Sequence, residues 1–188
     1  MAKIYVFLAN GFEDIEALAP VDILRRGGQE VVTVSITGSE YVESAHGVEV
    51  KADVWFETVE WFGDADLLIL PGGMPGAANL DQHHQLVEVL YRHFGEGKLI
   101  GAICAAPLVL GRRGLLEGRR ATCYPGFEQY LEGAEYTREL VTEDGNIITA
   151  EGPAAAFEFG YRLLARFVPE EVVDALKEGM RYAHLMEQ

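Results

Sequence analysis

The sequence lacks long hydrophobic runs and has few basic residues. None of its apolar runs approaches the roughly 20 residues that a membrane-spanning helix requires. Only 15 lysine and arginine residues stand against 30 aspartate and glutamate residues, which gives a net charge of −15 at pH 7. This charge repels nucleic acid and anionic membrane surfaces, so we expect neither as a partner. The apolar run at residues 4–9 is too short for a secretory signal, which favours a cytoplasmic protein.

Cysteine is equally scarce. The two cysteines, Cys104 and Cys123, form neither a disulfide framework nor a paired metal-ligand spacing. In a reducing compartment we expect both to be free thiols. The adjacent His83 and His84 would point about 100° apart on a helix and would chelate one metal poorly, and His46 fits a solvated turn. We therefore expect no metal site.

Linkers, repeats and low-complexity segments are also missing, so residues 1–188 are predicted to form one domain. Alternating strands and helices predict an α/β fold with a mostly parallel sheet and helices on both faces. Apolar and β-branched runs predict strands at residues 3–8, 29–36, 66–70, 99–103 and 120–124. Antiparallel hairpins are predicted at 40–54 and 139–150. Helices are predicted at 15–26, 58–62, 82–94, 106–114, 154–167 and 169–186, with a kink or break at Pro20.

One stretch, residues 98–116, joins a buried strand to a helix that begins near Pro107. The junction falls on Cys104, at the carboxyl end of the sheet and the positive end of a helix dipole, and both favour thiolate over thiol. We therefore predict a sharp elbow with strained backbone angles that presents a reactive, low-pKa Cys104. The alternative is an inert buried thiol, since free cysteine is among the most buried residue types.

Further loops are expected to meet at this elbow, because the carboxyl ends of parallel strands share one edge of a sheet. They are residues 10–16, 71–76 and 124–127, with a possible contribution from 152–153. From position alone, Glu16 is a carboxylate that favours a helix N-terminus, and Tyr124 is either a packing aromatic or a hydrogen-bond donor.

Four segments together resemble the ThiJ/PfpI superfamily, in the branch of the parkinsonism-associated deglycase. They are FEDIEALAPVDILRRGG, LILPGGMPGAANL, GAICAAPLVLGRRGLL and EGPAAAFEFGYRLL, and they run in the expected order from Phe12 to Leu164. The resemblance implies a flavodoxin-like three-layer sandwich, a homodimer and a reactive cysteine at the elbow. The activities assigned to this superfamily are glyoxalase activity without added cofactor, deglycation of methylglyoxal adducts, chaperone action and redox sensing.

Carried over residue by residue, the resemblance makes Cys104 the nucleophile and Glu16 a protonated acid that hydrogen-bonds it. Gly73 and Ala105 match the backbone donors of an oxyanion pocket. Ala105 also stands where the protease branch carries a histidine, which argues against peptidase activity.

The chain departs from the superfamily pattern at Tyr124, which takes the place of a histidine close to the cysteine. This departure removes the imidazole base of a Cys–His dyad. A phenol is protonated at neutral pH, so Tyr124 is predicted to donate a hydrogen bond in the reaction. Gly72 and Pro153 are expected to line the same pocket.

Two classes of function follow. The leading prediction is a cysteine-dependent, cofactor-independent glyoxalase or deglycase that acts on methylglyoxal-like aldehydes or on their protein adducts. The alternative is a redox-responsive protective protein or chaperone in which Cys104 is an oxidation sensor. A hydrolase of the thiamine-pathway or amidotransferase type is a weaker third reading, because no feature of the sequence indicates a glutamine site.

Overall fold

A seven-stranded sheet forms the centre of the protein in a computed structural model that describes residues 1–186. The strands of the chain are β1 (Lys3–Leu8), β2 (Glu30–Ser35), β3 (Tyr41–Glu43), β4 (Glu49–Lys51), β5 (Val54–Trp55), β6 (Leu67–Leu70), β7 (Leu99–Ile103), β8 (Arg120–Ala121), β9 (Glu135–Tyr136), β10 (Val141–Asp144) and β11 (Ile147–Ala150). The central sheet has the order β10-β11-β7-β6-β1-β2-β5, and only the β10–β11 pair is antiparallel. The predicted α/β class with a mostly parallel sheet is therefore confirmed.

Helices cover both faces of this sheet. They are α1 (Asp14–Arg26), α2 (Gly76–Gln82), α3 (His84–Gly95), α4 (Pro107–Gly111), α5 (Ala156–Leu164), α6 (Glu170–Gly179) and α7 (Tyr182–Met186). Right-handed crossovers place α1 on one face and the α2–α3 pair on the other, because β1 to β2 and β6 to β7 step in opposite directions across the sheet. Every residue of β6 is buried as a result. None of the described helices is both long and apolar enough to cross a bilayer.

Several predicted elements have the observed bounds or nearly so. Strands β1 and β7 match the prediction to the residue, and the β10–β11 hairpin lies within its predicted segment. Strands β3 and β4 form the small antiparallel hairpin that was predicted, with His46 and Gly47 in its turn. Because β1, β6, β7 and β11 run parallel, the loops that follow them lie at one edge of the sheet.

Other predictions were wrong in extent or place. The strand predicted at 120–124 is only two residues long and pairs with β9 outside the central sheet. The helix predicted at 82–94 begins after a separate helix, α2, and His83 divides the two. Residues 58–62 form no helix; a single 3₁₀ turn lies at Phe56–Thr58 instead. The last predicted helix is split into α6 and α7.

Helix α1 differs from its prediction because it continues through Pro20 without a break. Its apolar residues Ile15 and Leu18 are exposed. The buried face instead carries Glu16, and this is the face that turns toward the sheet edge.

Candidate active site

Cys104 lies directly after β7, at the turn into the next helix. Its φ of 64° is in the left-handed region, which costs a non-glycine residue on the order of 1–3 kcal/mol. The strained elbow predicted from the sequence is therefore present. The Cys104 N–H donates to the carbonyl of Ala150 at 2.8 Å, and the Cys104 carbonyl accepts from the N–H of Tyr124 at 2.8 Å. The end of β11 and the loop after β8 thus hold the strained residue in place.

Glu16 reaches the same point from the first turn of α1. Its side chain is fully buried, and its Oε2 accepts a hydrogen bond from the N–H of Gly72 at 3.0 Å. Glu13 fixes the start of the helix, because its Oε2 accepts from the Glu16 N–H at 2.7 Å. The other Glu16 oxygen, Oε1, is buried and has no partner of ordinary hydrogen-bond geometry in residues 1–186.

Burial raises the pKa of the Glu16 carboxyl to about 7. Hydrogen bonding with Cys104 and with the Gly72 N–H opposes this rise, and the nearby charge of Glu13 adds to it. A carboxyl group with this pKa is partly protonated at neutral pH. Glu16 is therefore able both to give and to take a proton in the working range of most enzymes.

Burial also raises the pKa of the Cys104 thiol, since only 8% of the residue is exposed. The charge of Glu16 and its hydrogen bond raise it further, whereas the N–H groups of Gly73 and Ala105 lower it. The expectation of a low thiol pKa from the helix dipole is thus wrong beside a charged Glu16, because desolvation is the larger effect. The two predicted backbone donors are thus close enough to the sulfur to favour its charged form.

Gly72 lies between the two side chains. A Cβ atom there would be 2.5 Å from the Glu16 Oε2 and 2.7 Å from the Cys104 Cβ. No larger residue fits without moving one of them. The structure therefore brings one cluster together. It consists of Cys104, Glu16, Gly72 and the backbone N–H groups of Gly73 and Ala105.

Tyr124 and Pro153 lie beside this cluster. Both line a shallow cleft, and the Tyr124 ring packs against Gly152. Tyr124 is 46% exposed, and its hydroxyl has no hydrogen-bond partner in the described part of the chain. Its backbone contacts Cys104, but no contact joins its hydroxyl to the sulfur. A role for the Tyr124 hydroxyl stays a prediction.

Glu13 is a residue near the site that was not singled out in the sequence. It caps α1 and supports Glu16; the signal was a carboxylate three residues before Glu16 at a helix start. His46, expected to be solvated, is exposed but pairs with Asp14 at 2.8 Å between Nδ1 and Oδ2. Within residues 1–186, one group of His, Cys, Asp or Glu side chains is close enough to hold a metal ion. It consists of Glu13, Asp14 and His46, whose potential ligand atoms lie within 4.8 Å of one another. Its members are already engaged with one another or with α1.

Replacing Glu16 by glutamine is expected to change the pH dependence of stability. The folded protein holds a proton that the unfolded chain releases, because burial raises the carboxyl pKa from 4.5 to about 7. The resulting stabilisation is fully present below about pH 4.5 and is lost as the pH rises through about 7, by on the order of 3 kcal/mol. Urea unfolding over this pH range should show that the free energy of unfolding of the wild-type falls by this amount relative to that of Glu16→Gln. Glu88→Gln, at an exposed position of α3, should behave like the wild-type; identical pH profiles for all three proteins would contradict a buried, titrating Glu16.

Comparisons with known proteins identify a family and several relatives. The DJ-1/PfpI family model matches residues 2–166. The zebrafish (Danio rerio) Parkinson disease protein 7 homolog is 35% identical over 175 residues, covering 92% of this chain and 93% of its own. A Pyrococcus horikoshii protein named as a deglycase is 34% identical over 155 residues, covering 81% of this chain and 91% of its own. The structure of oxidized Toxoplasma gondii DJ-1 has a TM-score of 0.92 and 37% identity, covering 97% of this chain and 100% of that one.

These matches span nearly the whole chain, and they include the segments that carry the elbow and the buried carboxyl group. The resemblance to the superfamily is therefore confirmed, together with the flavodoxin-like fold that it implied. The chain belongs to the DJ-1/PfpI family.

Proposed function

We propose that the protein is a cysteine-dependent, cofactor-independent enzyme of the glyoxalase or deglycase type. Its substrates are methylglyoxal-like aldehydes or their adducts with protein side chains. The observation that carries the proposal is the cluster of a strained Cys104, a buried Glu16 with a pKa of about 7, and two backbone N–H groups directed at the sulfur. The deglycase names of two relatives support the same class of reaction.

Activation of the thiol depends on where the pair keeps its proton. A charged Glu16 raises the Cys104 pKa. The charge of Glu16 and its hydrogen bond both favour the neutral thiol. When Glu16 is protonated, it no longer repels the sulfur charge and its O–H donates a hydrogen bond to the thiolate, so both effects are reversed. In the active form the proton lies on Glu16, and the N–H groups of Gly73 and Ala105 hold the negative sulfur.

The proposed reaction begins when the thiolate adds to the aldehyde carbon of methylglyoxal. The new C–S bond leaves an alkoxide, which takes the proton of Glu16 and becomes a hemithioacetal. The Glu16 carboxylate then removes the hydrogen of this carbon and delivers it to the adjacent carbon through an enediol, which gives a lactoyl thioester. Water hydrolyses the thioester to lactate and restores Cys104. One methylglyoxal and one water give one lactic acid, so no oxidant or reductant is consumed.

The same backbone donors stabilise the oxyanion that forms in the first and last steps. Each donor of this kind contributes about 3 kcal/mol in other enzymes. Gly73 and Ala105 supply them without side chains, so the pocket depends on backbone geometry and not on residue type. This is one reason for a strained turn at Cys104.

Replacing Tyr124 by phenylalanine tests the proposed donor at the histidine position. Turnover should fall about tenfold, because a transition-state hydrogen bond is lost, while alkylation of Cys104 by iodoacetamide stays almost unchanged. Tyr124→His restores the residue typical of the superfamily and should maintain or raise activity. If neither substitution affects turnover, the Tyr124 side chain only packs against Gly152.

A second candidate function is redox sensing at the same cysteine. It is favoured by the Toxoplasma gondii relative, whose structure is described as oxidized. The N–H groups that face the Cys104 sulfur would accept the oxygens of a sulfinate as readily as an oxyanion. Two hydrogen peroxide molecules convert one thiol to a sulfinic acid and release two waters.

Mild peroxide should therefore oxidise Cys104 before Cys123. Cys123 is completely buried, whereas Cys104 is 8% exposed. Burial raises the pKa of both thiols, but the N–H groups of Gly73 and Ala105 oppose this rise at Cys104, whereas the charges of Glu128 and Glu151 add to it at Cys123. Access and thiolate character govern this oxidation. Mass spectrometry of peptides should show two oxygen atoms on Cys104 first; earlier modification of Cys123 would reverse the assignment of the two thiols.

We also propose a homodimer, a cytoplasmic location, and action without metal, nucleic acid or membrane partners. Analytical ultracentrifugation of the purified protein measures the first of these directly.

A further inference from the structure

A cleft of about 250 Å³ lies next to the active-site cluster. Its walls include Tyr124, Pro125, Leu140, Glu151 and Pro153. Of the residues that line the cleft, only Tyr124 has a role in the proposed reaction of methylglyoxal, so most of the cleft is free for the substituent of a larger substrate.

The cleft is tied to the nucleophile on both sides. One wall begins at Tyr124, whose N–H donates to the Cys104 carbonyl at 2.8 Å. The other wall follows Ala150, whose carbonyl accepts the Cys104 N–H at 2.8 Å, and continues through Glu151, whose N–H donates to Leu140 at 3.0 Å. The backbone of Cys104 is therefore hydrogen-bonded to both walls of the cleft.

The walls of the cleft are mostly apolar and carry one charged side chain. Tyr124 and Leu140 are 46% and 45% exposed, and two prolines stand beside them. Glu151 is the single charged side chain that lines the cleft, and it forms no ion pair within residues 1–186. The guanidinium of Arg138, which is close in sequence, lies 5.7 Å from the Tyr136 ring and does not line the cleft.

We propose that a substituent on a Cys104-bound carbonyl compound extends into this cleft and that Glu151 is a specificity-determining residue there. The apolar walls take the carbon chain or ring of the substituent, and the unpaired carboxylate selects a cationic end such as an ammonium or guanidinium group over an anionic one. The inference rests on the proposed function only in requiring that the ligand is an electrophile that reacts at Cys104.

The first test measures charge selection without turnover. Two methanethiosulfonates, one with a trimethylammonioethyl group and one with a sulfonatoethyl group, form a disulfide with Cys104 and release the same methanesulfinate. The ratio of their rates at Cys104, followed by mass spectrometry, is compared among the wild-type, Glu151→Gln and Glu151→Arg. We expect the cation-to-anion ratio to fall on the order of tenfold in Glu151→Gln and further in Glu151→Arg. Glu88→Gln, which is exposed on α3 and outside the cleft, should keep the wild-type ratio.

The second test uses turnover of arylglyoxals that carry a para trimethylammonium or a para carboxylate group. The kcat/KM of the cationic substrate divided by that of the anionic substrate should fall in Glu151→Gln and in Glu151→Arg, as the ratio of the probe rates does. If the ratio of the probe rates falls in the Glu151 variants but no protein turns over either substrate, the charge selection is supported and the proposed enzyme is overturned. If the substrates are turned over but both ratios are the same in Glu151→Arg as in the wild-type, the role of Glu151 is overturned and the proposed enzyme stands.

Discussion

Gly72→Ala is expected to destabilise the protein and to remove most of its activity. The new Cβ would lie 2.5 Å from the Glu16 Oε2, 2.7 Å from the Cys104 Cβ and 2.8 Å from the Ile103 carbonyl oxygen. All three neighbours belong to buried residues, so none can move into solvent. We expect a loss of about 3 kcal/mol in the free energy of unfolding, as in other overpacked cores. Turnover should fall about a hundredfold, because displacing a reacting group by about 1 Å costs this much.

A matched glycine provides the control for this substitution. Gly95 lies at the end of α3, and a Cβ there meets no atom within 4 Å. Gly95→Ala should leave turnover unchanged and should stabilise the helix slightly, by up to about 1 kcal/mol. Urea unfolding and turnover measured on both variants separate the two effects. An unchanged midpoint and rate in Gly72→Ala would show that Glu16 and Cys104 are not held against this glycine.

The central strands were predictable because burial on both faces leaves continuous apolar runs. Lys3–Leu8 and Leu99–Ile103 are short runs of this kind, each followed by a turn residue, and both were predicted to the residue. The β10–β11 hairpin was predictable for another reason. Its two turn residues are Gly145 and Asn146, and Gly145 adopts the positive φ of 58° that glycine favours at the first of these positions.

Elements that depend on distant partners were not predictable in this way. Helix α2 begins at Gly76, after a segment rich in glycine and proline that is typical of a loop. It forms because Ala77 and Leu80 are buried against the rest of the protein. Strand β5 has only two residues and exists through its pairing with Val34 and Ser35 at the sheet edge. Neither of these contacts can be inferred from the local sequence pattern.

The active site shows the same division. The position of Cys104 at an elbow follows from the strand and helix on either side of it. The role of Glu16 came from the resemblance, since its hydrogen bond to Gly72 joins residues 56 positions apart. The thiol pKa was predicted in the wrong direction, because the sequence indicates a helix dipole but not the desolvation of Cys104. Helix α4, with five residues, is also too short to outweigh it.

Cys104→Ser is expected to lower lactate formation by at least about three orders of magnitude. A serine hydroxyl ionises far less readily than a thiol, and Glu16 with a pKa of about 7 is too weak a base to deprotonate it. Serine is close to cysteine in size and keeps the same Cβ at the strained φ of 64°. The variant should therefore fold as the wild-type does and should lose chemistry alone. Cys123→Ala, at a buried position outside the cluster, should retain turnover within about twofold even if its stability falls.

The most direct test of the account is the lactate formed from methylglyoxal by the purified protein, with and without Cys104. We predict that the wild-type converts methylglyoxal to an equal amount of lactate without added metal or cofactor, and that Cys104→Ser forms none above the rate in buffer. Equal lactate formation by the two proteins, or none by the folded wild-type, would contradict the assignment of Cys104 as the nucleophile of an aldehyde-converting enzyme.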